Sequence, residues 1–353
     1  MTSALLDLQE ALVCGVDAHK STHHAVVLNR LGVRLGDREF GTTAFAHQQM
    51  LEWMTEFGSI SRVGVESTGT YAAGLTRHLR AEGVSVVEIN TPHAHTRAHK
   101  GKDDAIDAEA AARKVLAGEA MSEPKDTTGA IESIRVLRVA RDSAVKSRTV
   151  ALTQLGDLLV TAPTALRESI NAATNRGKAS QCAKLRPDSA RVGEPLHAAK
   201  FALRALARRI ASFDAEITEL DRHLERLVAR AAPTLISKVG IGIGNAAQLL
   251  ITAGQNIDRL TSEAAFARLC GVAPIPVSSG RTKRMRLHRG GDRQANRALY
   301  MIAICRLKYD PKTITYVERR LSEGLSKKDA IRCVKRFIAR EVYNDLKHDL
   351  NTT

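Results

Sequence analysis

The sequence has 353 residues, more than one hydrophobic core usually supports, so two or three domains are expected. Hydrophobic residues make up 44% and charged residues 26%, and the absence of an uncharged apolar run of about 18 residues disfavours both a membrane span and wholesale disorder. The net charge of +15 indicates a polyanionic partner. Because aromatic residues are only 4%, phosphate contacts from Arg and Lys are favoured over base stacking along a single strand.

The first twelve residues lack the pattern of a secretory signal, which predicts a cytoplasmic protein. Five scattered cysteines without a C-x-x-C pair argue against a disulfide framework and against structural zinc. His19 and His23 are four residues apart, a spacing that could serve as half of a zinc site, but no cysteine pair stands near them. They are interpreted, with His24, as loop or surface residues.

Short β-rich segments alternate with helical ones in the first third of the chain. Strands are expected at 12–17, 25–28, 33–40, 62–66 and 84–89, and helices at 45–57, 71–82 and 103–116. Three strands followed by helix, strand, helix, strand and helix is the order of ribonuclease-H-like folds. The predicted fold class is therefore α/β at the N-terminal end and mainly α beyond it.

The middle of the chain carries a long apolar seam. Its members are spaced alternately three and four residues apart, which is typical of a coiled coil: Leu203, Leu206, Ile210, Phe213, Ile217, Leu220, Leu224 and Leu227. An upstream helix has the same register, but Arg141 and Arg148 occupy two of its seam positions. A polar, unpatterned stretch, 171–195, connects the two. Either an antiparallel hairpin within one chain or a coiled coil between subunits satisfies this pattern.

Two features mark the last third of the chain. Gly240, Gly242 and Gly244 lie between apolar helical runs, as in a helix-hairpin-helix, whose backbone N–H groups grip a DNA phosphate. A purely structural tight turn fits the same residues. The chain ends in a helix that Ser326 and Asp329 open as a capping box. Its predicted buried face consists of Ile331, Val334, Phe337, Ile338 and Val342.

Four acidic residues fall where the predicted fold brings them together. Asp17 and Glu66 end the first and fourth strands, which are neighbours in a ribonuclease-H-like sheet. Asp104 and Asp107 lie three residues apart on the helix that packs across those strands. Such a cluster is repulsive unless a hard cation neutralises it, and Mg²⁺ held by carboxylates is the usual arrangement for phosphoryl transfer. Each acid alone is equally well a turn or surface residue.

A basic run follows the dipeptide Ser278-Ser279 and Gly280. It suits a loop laid along a phosphate backbone, although a solvated face explains it too. Ser279 could attack phosphorus if neighbouring cations or a metal lowered the pKa of its hydroxyl, but its spacing alone indicates a turn residue. The cations of the run are Arg281, Lys283, Arg284, Arg286, Arg289, Arg293 and Arg297, against the single acid Asp292.

Five motifs occur in order along nearly the whole chain: Gly15-Val16-Asp17-Ala18-His19-Lys20, Val65-Glu66-Ser67-Thr68-Gly69-Thr70-Tyr71, Lys102-Asp103-Asp104-Ala105-Ile106-Asp107-Ala108, Val239-Gly240-Ile241-Gly242 and Val277-Ser278-Ser279-Gly280. Together they resemble the DEDD insertion-sequence transposases. These are RNA-guided bridge recombinases, related to the pilin-gene inverting recombinase Piv.

The resemblance implies a RuvC-like domain (1–128), a coiled-coil middle (129–230) and a C-terminal transposase domain (231–353) with a nucleophilic serine. Matched residue by residue, the quartet is Asp17, Glu66, Asp104 and Asp107, and the serine is Ser279. The implied reaction is strand exchange through a covalent serine–DNA phosphate, with the quartet from one subunit and the serine from another.

The resemblance also implies cofactors and partners. The cofactors are Mg²⁺ or Mn²⁺ and an element-encoded guide (bridge) RNA. The partners are donor and target double-stranded DNA and further copies of the chain, as a dimer that becomes a tetramer in the synaptic complex. The implied location is the cytoplasm of a bacterium, on the nucleoid during the reaction.

Two departures from the family pattern leave residue assignments open. Lys102-Asp103-Asp104 stands where the family has Lys-Thr-Asp, and the three-residue step to Asp107 favours Asp104 over Asp103 as the ligand. Only Gly280 follows the serine where the family is glycine-rich, so Ser278 remains an alternative nucleophile. Two other functions also remain open: a RuvC-type metal-dependent junction nuclease, and a non-catalytic nucleic-acid-binding protein.

Overall fold

The computed structural model describes residues 11–89, 103–119, 122–280 and 282–352. The chain forms two compact units, one of residues 1–129 with 253–266 and the other of residues 130–252 with 267–353. The division into three domains stays a prediction. Among the described residues, no helix combines the length and the apolar character needed to cross a membrane.

Unit 1 contains a mixed five-stranded sheet. Its strands are β1 (Leu12–Ala18), β2 (Thr22–Leu28), β3 (Arg34–Gly41), β4 (Ile60–Glu66) and β5 (Val86–Ile89), and their order in the sheet is β3-β2-β1-β4-β5. The first three strands are antiparallel, whereas β4 is parallel to both β1 and β5. All five predicted strands are confirmed, and their arrangement is consistent with a ribonuclease-H-like domain.

Helices cover both faces of this sheet: α1 (Ala44–Glu56), α2 (Ala73–Ala81) and α3 (Asp104–Leu116). One core cluster joins α1 and α2 to residues such as Cys14, Val16 and Val65, while α3 packs against the opposite face at Val13 and Val26. Alternation along the strands separates the two clusters, since successive side chains point to opposite faces. As a result, Asp17 and Glu66 lie on the α3 side.

A later segment of the chain completes unit 1. Asn256 accepts a hydrogen bond from the backbone N–H of Asp126 at 2.8 Å and donates to the carbonyl of Pro124 at 3.0 Å. Its side-chain amide also donates to Glu123 at 3.0 Å. One asparagine therefore fastens residues 253–266 to the segment that leaves the sheet, a link that local sequence patterns do not reveal.

Unit 2 contains two long helices, α4 (Gly129–Thr161, whose first residue belongs to unit 1) and α7 (Pro195–Ala231). Arg141 Nε lies 2.5 Å from Asp221 Oδ1, and Arg148 Nη1 lies 2.8 Å from Asp214 Oδ1. The two arginines are seven residues apart on α4, and their partners are seven residues apart on α7 in the opposite direction. This register makes the two helices an antiparallel hairpin within one chain. The two arginines that weaken the apolar seam of α4 form ion pairs with α7, and a coiled coil between subunits stays a prediction.

The connector 171–195 differs from the prediction, because it is partly helical and contributes to the core. Helices α5 (Thr164–Ser169) and α6 (Asn175–Ala183) cap the hairpin. Ala179 and Cys182 of α6 are buried in a cluster with Leu155 and Leu203. The sequence pattern missed this helix because its buried side chains are small and its average character is polar.

The rest of unit 2 is mainly helical and carries one β-hairpin. Its elements are α8 (Pro233–Ile236), α9 (Ile243–Ala253, whose last residue belongs to unit 1), α10 (Glu263–Leu269, which begins in unit 1), β6 (Pro274–Ser279), β7 (Thr282–Leu287), α11 (Arg293–Tyr309), α12 (Pro311–Ser322) and α13 (Lys327–Thr352). The Ser326–Asp329 capping box is confirmed, with the Asp329 N–H donating to Ser326 Oγ at 3.2 Å. Val334, Ile338 and Val342 are buried as predicted. Phe337, however, is 54% exposed, so its placement in the core was wrong.

Candidate active site

The N-terminal half of α3 lies directly on the backbone of β1. A Cβ atom on Gly15 would come within 2.1 Å of the Ala108 carbonyl oxygen and 2.3 Å of the Ala112 nitrogen, so no larger residue fits at position 15. Ala108 and Ala112 are themselves fully buried. This close approach of helix to strand brings the beginning of α3 to the carboxyl end of β1.

Asp17, His19 and Asp104 meet at that point. His19 Nε2 lies 3.2 Å from Asp17 Oδ2 and 3.1 Å from Asp104 Oδ1. Asp17 is buried, whereas His19 and Asp104 are partly exposed. Among the described residues, these three have the arrangement of side chains that could hold a metal ion. The cluster combines two carboxylates from distant parts of the sequence with an imidazole that bridges them.

The beginning of α3 distinguishes its neighbouring acids. Asp103 is the N-cap, and its carboxylate accepts a hydrogen bond from the Ala105 N–H at 3.2 Å. Asp104 points instead to His19, and Asp107 is buried one turn further along. The observed contacts thus support Asp104 rather than Asp103 as the site residue, and Asp103 has the ordinary structural role of capping a helix.

The parallel pairing of β1 with β4 determines the position of Glu66. Val16 is directly opposite Val65, so Asp17 and Glu66 come next on adjacent strands and on the same face. The following residue, Ser67, has a φ of 57°, a left-handed conformation that costs a residue with a side chain about 1 kcal/mol. This sharp turn ends β4 immediately after the carboxylate.

The acids affect one another electrostatically. Burial raises the pKa of the Asp17 carboxyl above its usual range, and the nearby charges of Asp104 and Asp107 raise it further, while His19 opposes both effects. A carboxylate in such surroundings favours a positively charged neighbour. In this structure His19 contacts it, and the same oxygens suit a divalent cation.

The interpretation of His23 and His24 as loop or surface residues was wrong, whereas His19 lies in the loop after β1 as predicted. His24 contacts Asp37 Oδ2 at 2.9 Å and, with His23, lies inside β2 rather than in a loop. His23 is completely buried, and His19 belongs to the acidic cluster. The available signal for His19 was its position two residues after Asp17, since residues at i and i+2 of an extended chain share a face.

A second set of histidines packs behind β2. The ring of His47 stacks on that of His23, with centroids 5.6 Å apart, and lies 6.1 Å from that of His78. Burial, together with the charges of His23, His78 and Arg77, lowers the pKa of His47 to about 4. The neutral form is therefore the one that the fold accommodates.

We expect unit 1 to lose stability as the pH falls from about 6.5, the pKa of a histidine in the unfolded chain, towards about 4, the pKa of His47 in the folded protein. The unfolded chain binds a proton in this window and folded His47 does not, so the free energy of unfolding should drop by about 2–4 kcal/mol. Denaturant titrations followed by Trp53, the single tryptophan, report on this unit. His47→Leu should flatten the pH dependence, and an equally steep curve for this variant would contradict the assignment.

The glycine-rich turn has two distinct surfaces. Gly240 has a φ of 81° and packs against α11, where a Cβ would lie 3.3 Å from Cys305 and from the Ile302 carbonyl. Gly242 and Gly244 are exposed at the start of α9. The structure thus gives Gly240 a packing role, while phosphate binding by the three glycines stays a prediction.

Ser279 is the last residue of β6, at the tip of the β6–β7 hairpin. It pairs with Thr282, and Ser278 pairs with Lys283. Both serines are exposed, but they point to opposite faces of the ribbon. Gly280 has a φ of 56°, which allows the chain to reverse immediately after Ser279.

The cations of the basic run lie along this hairpin and into α11. Arg281 lies outside the described residues, and Lys283 and Arg284 belong to β7. The acid of the run, Asp292, is the N-cap of α11 and accepts hydrogen bonds from Gln294 N–H and Thr252 Oγ. Its charge is therefore engaged within the fold. The remaining cations are exposed: Arg286, Arg289, Arg293 and Arg297.

Comparisons with known proteins match two separate parts of the chain, one with the acidic cluster and one with the β6–β7 hairpin. A family profile described as "Transposase", for the DEDD domain of IS110-type elements, matches residues 14–162 and thus includes the acidic cluster. A second, "Transposase IS116/IS110/IS902 family", matches residues 232–318, which include the hairpin. Together the two matches span about two thirds of the chain.

Two relatives come from insertion elements. The insertion element IS900 uncharacterized 42 kDa protein of Mycobacterium paratuberculosis is 25% identical over 91% of this chain and 92% of its own length. The insertion element IS110 uncharacterized 43.6 kDa protein of Streptomyces coelicolor is 35% identical over 28% of this chain and 25% of its own length. The acidic cluster, the paired profile matches and the end-to-end likeness to an insertion-element protein agree: the chain belongs to the IS110 family of insertion-sequence transposases.

Proposed function

We propose that this transposase exchanges DNA strands through a covalent Ser279–DNA phosphate, guided by an RNA and assisted by a metal-binding acidic site. A transposase cleaves and rejoins DNA, and the family assignment carries that much directly. The observation that carries the proposed chemistry is the meeting of Asp17 and Asp104 around His19. The test is whether strand exchange depends on these acids and on Ser279 separately.

The donor set fits a hard divalent cation. Carboxylate oxygens are the ligands that Mg²⁺ and Mn²⁺ prefer, and the pKa of Asp17 is raised first by burial and then by the neighbouring charges of Asp104 and Asp107. Asp17, Asp104, Glu66 and Asp107 are the residues that would hold the ion. When bound, the cation would stabilise negative charge on the reacting phosphate. His19, which contacts both carboxylates, would keep Asp17 and Asp104 in position.

Ser279 supplies the proposed covalent step. Its Oγ loses the hydroxyl proton and forms a bond to phosphorus while the bond from phosphorus to a deoxyribose oxygen breaks, and the departing sugar oxygen takes up one proton in turn. Attack by the hydroxyl of another strand reverses the step and returns Ser279 unchanged. Because the phosphoester energy is kept in the serine ester, rejoining requires no external energy source. Exposure at the hairpin tip supports access to a phosphodiester.

The guide RNA and the assembly belong to the same proposal. An element-encoded RNA pairs with donor and target DNA, so base pairing carries sequence choice while the protein contacts the backbones. The net charge of +15 is consistent with two kinds of nucleic acid. A dimer that forms a tetramer at synapsis supplies the acids and the serine from different subunits. Sequencing the RNA that copurifies with the protein tests the guide, since a single discrete species is expected.

The basic hairpin should contribute to the salt dependence of DNA binding. Replacing Lys283 and Arg284 with glutamine removes two proposed phosphate contacts, so the slope of log affinity against log salt should decrease by about 2. Fluorescence anisotropy over a salt series measures this slope. The exposed pair Arg208 and Arg209 on α7 serves as the control, since its replacement should leave the slope unchanged. Equal slopes for both double variants would indicate that the hairpin is a solvated face.

A junction nuclease of the RuvC type is the second candidate, because the acidic cluster alone suffices for its chemistry. It predicts metal-dependent cutting of branched DNA that survives loss of Ser279 and requires no RNA. A non-catalytic binding protein predicts binding without cleavage in any divalent metal. The same labelled DNA therefore separates all three functions.

A further inference from the structure

A cavity of about 570 Å³ lies in unit 2, between the base of the β6–β7 hairpin and helices α12 and α13. Its volume falls within the range of about 300–1,000 Å³ that is typical of pockets for small molecules. Pro274 and Met285 contribute from the hairpin, and Tyr316 and Phe337 from the helices. The acidic site and the Ser279 tip are not part of it.

Two aromatic rings form one wall of the cavity. Tyr316 and Phe337 meet edge to face, with centroids 5.4 Å apart and ring planes at 86°. Phe337 is 54% exposed and Met285 is 68% exposed, although both are large apolar side chains. An exposed aromatic ring within a concave surface is typical of a ligand site rather than of a core.

Cations surround this apolar wall. Arg286, Arg332, Lys335 and Arg336 line the cavity, and Asp329 is the acidic residue among the described lining residues. Asp329 is already engaged, since Arg332 Nη1 lies 2.6 Å from its carboxylate. Lys335 Nζ donates to Asn296 Oδ1 at 2.6 Å, and burial lowers the pKa of this lysine. The cavity thus favours a ligand that joins an anionic group to a flat apolar one.

We propose that the cavity takes one unstacked nucleotide of a nucleic-acid strand. Its base stacks on Phe337. Its phosphate is held by Arg336 and by Nε and Nη2 of Arg332, since Nη1 of Arg332 contacts Asp329. This assignment rests on the nucleic-acid substrates of the proposed function. The low aromatic content argues against stacking along a whole strand, but a single base requires a single aromatic wall.

The position of the cavity relative to Ser279 adds a geometric reason. Pro274 lines the cavity and Ser279 ends the same strand, five residues away. At about 3.3 Å per residue, the two lie roughly 16 Å apart along β6. A strand held at the cavity would therefore continue towards the hairpin tip within a few nucleotides.

The test compares the full chain on two DNA duplexes of the same sequence, one fully paired and one with a single bulged 2-aminopurine. Stacking is worth about 1–3 kcal/mol per base, so the bulged duplex should bind about 5- to 150-fold more tightly. The fluorescence of the 2-aminopurine should change on binding. The same comparison with a paired and a bulged RNA duplex distinguishes DNA from RNA. The nucleic acid that gives the larger preference for the bulge is the one that the cavity binds.

Phe337→Ala should remove the preference for the bulge while leaving affinity for the paired duplex unchanged, and Phe337→Trp should retain it. Tyr309→Ala is the matched control, because Tyr309 is 62% exposed at the end of α11 and outside the cavity. No preference in the unmodified protein, or a preference that survives in a folded Phe337→Ala variant, would overturn the proposal. Binding is measured without divalent metal and without cleavage. The result therefore does not depend on whether Ser279 forms a covalent bond to DNA.

Discussion

The unmodified protein is expected to form a covalent adduct with labelled donor or target DNA, and Ser279→Ala is expected to abolish it. The adduct should survive denaturing electrophoresis and map to Ser279 by mass spectrometry. The physical reason is that Ser279 supplies the proposed nucleophilic oxygen, whereas the neighbouring hydroxyl of Ser278 points to the opposite face of the ribbon. Recombination should be lost together with the adduct.

Ser278→Ala is the matched control for this experiment. It removes the same chemical group one residue away, in the same strand and with similar exposure, so adduct and recombination should both persist. An adduct that disappears only in Ser278→Ala would move the nucleophile by one position. Metal-dependent cutting by Ser279→Ala, with no adduct in any variant, would favour the junction nuclease.

Asp104→Asn is expected to reduce metal-dependent DNA cleavage by at least about a hundredfold. The reason is that mutating even a residue that only hydrogen-bonds to a metal ligand costs about 10–100-fold in metal affinity or activity. The fold should remain, since one of several mutually repelling carboxylates loses its charge. The free energy of unfolding should be unchanged or slightly higher. Affinity for nucleic acid should largely persist.

Asp103→Asn provides the control for charge and helix structure. Asp103 caps α3, and asparagine is an equally good N-cap, so both the helix and cleavage should be retained. The two variants remove the same charge from adjacent positions but differ in contact with His19. Cleavage lost in Asp103→Asn and retained in Asp104→Asn would assign the ligand to Asp103.

Local patterns predicted much of unit 1 because strand and helix signals are short-range. The buried apolar run of β1 and the short β-rich segment of β4 identified the strands, and each carries a carboxylate at or next to its last residue, which the predicted topology places side by side. The capping pair Ser326 and Asp329 is equally local and was found in the structure. Such features depend on residues a few positions apart, whose geometry the backbone itself dictates.

Other features depended on contacts between distant elements. The role of His19 requires α3 to approach β1 closely enough for Asp104 to meet it, which the glycine at position 15 permits. Arg141 weakens an apolar seam when α4 is considered alone, and its partner Asp221 is visible only when the antiparallel register is known. Sequence periodicity identifies the side of a helix but not the charge opposite it.

The sequence by itself determined the order of the five strands, the acids at their ends, the basic run and the family resemblance, since each follows from local pattern or motif. The tertiary structure alone decided that Asp103 caps a helix while Asp104 contacts His19, that Gly240 packs against α11, and that Phe337 lines a cavity. The physical reason is that the environment of a side chain is set by the element packed against it, and that element is remote in sequence.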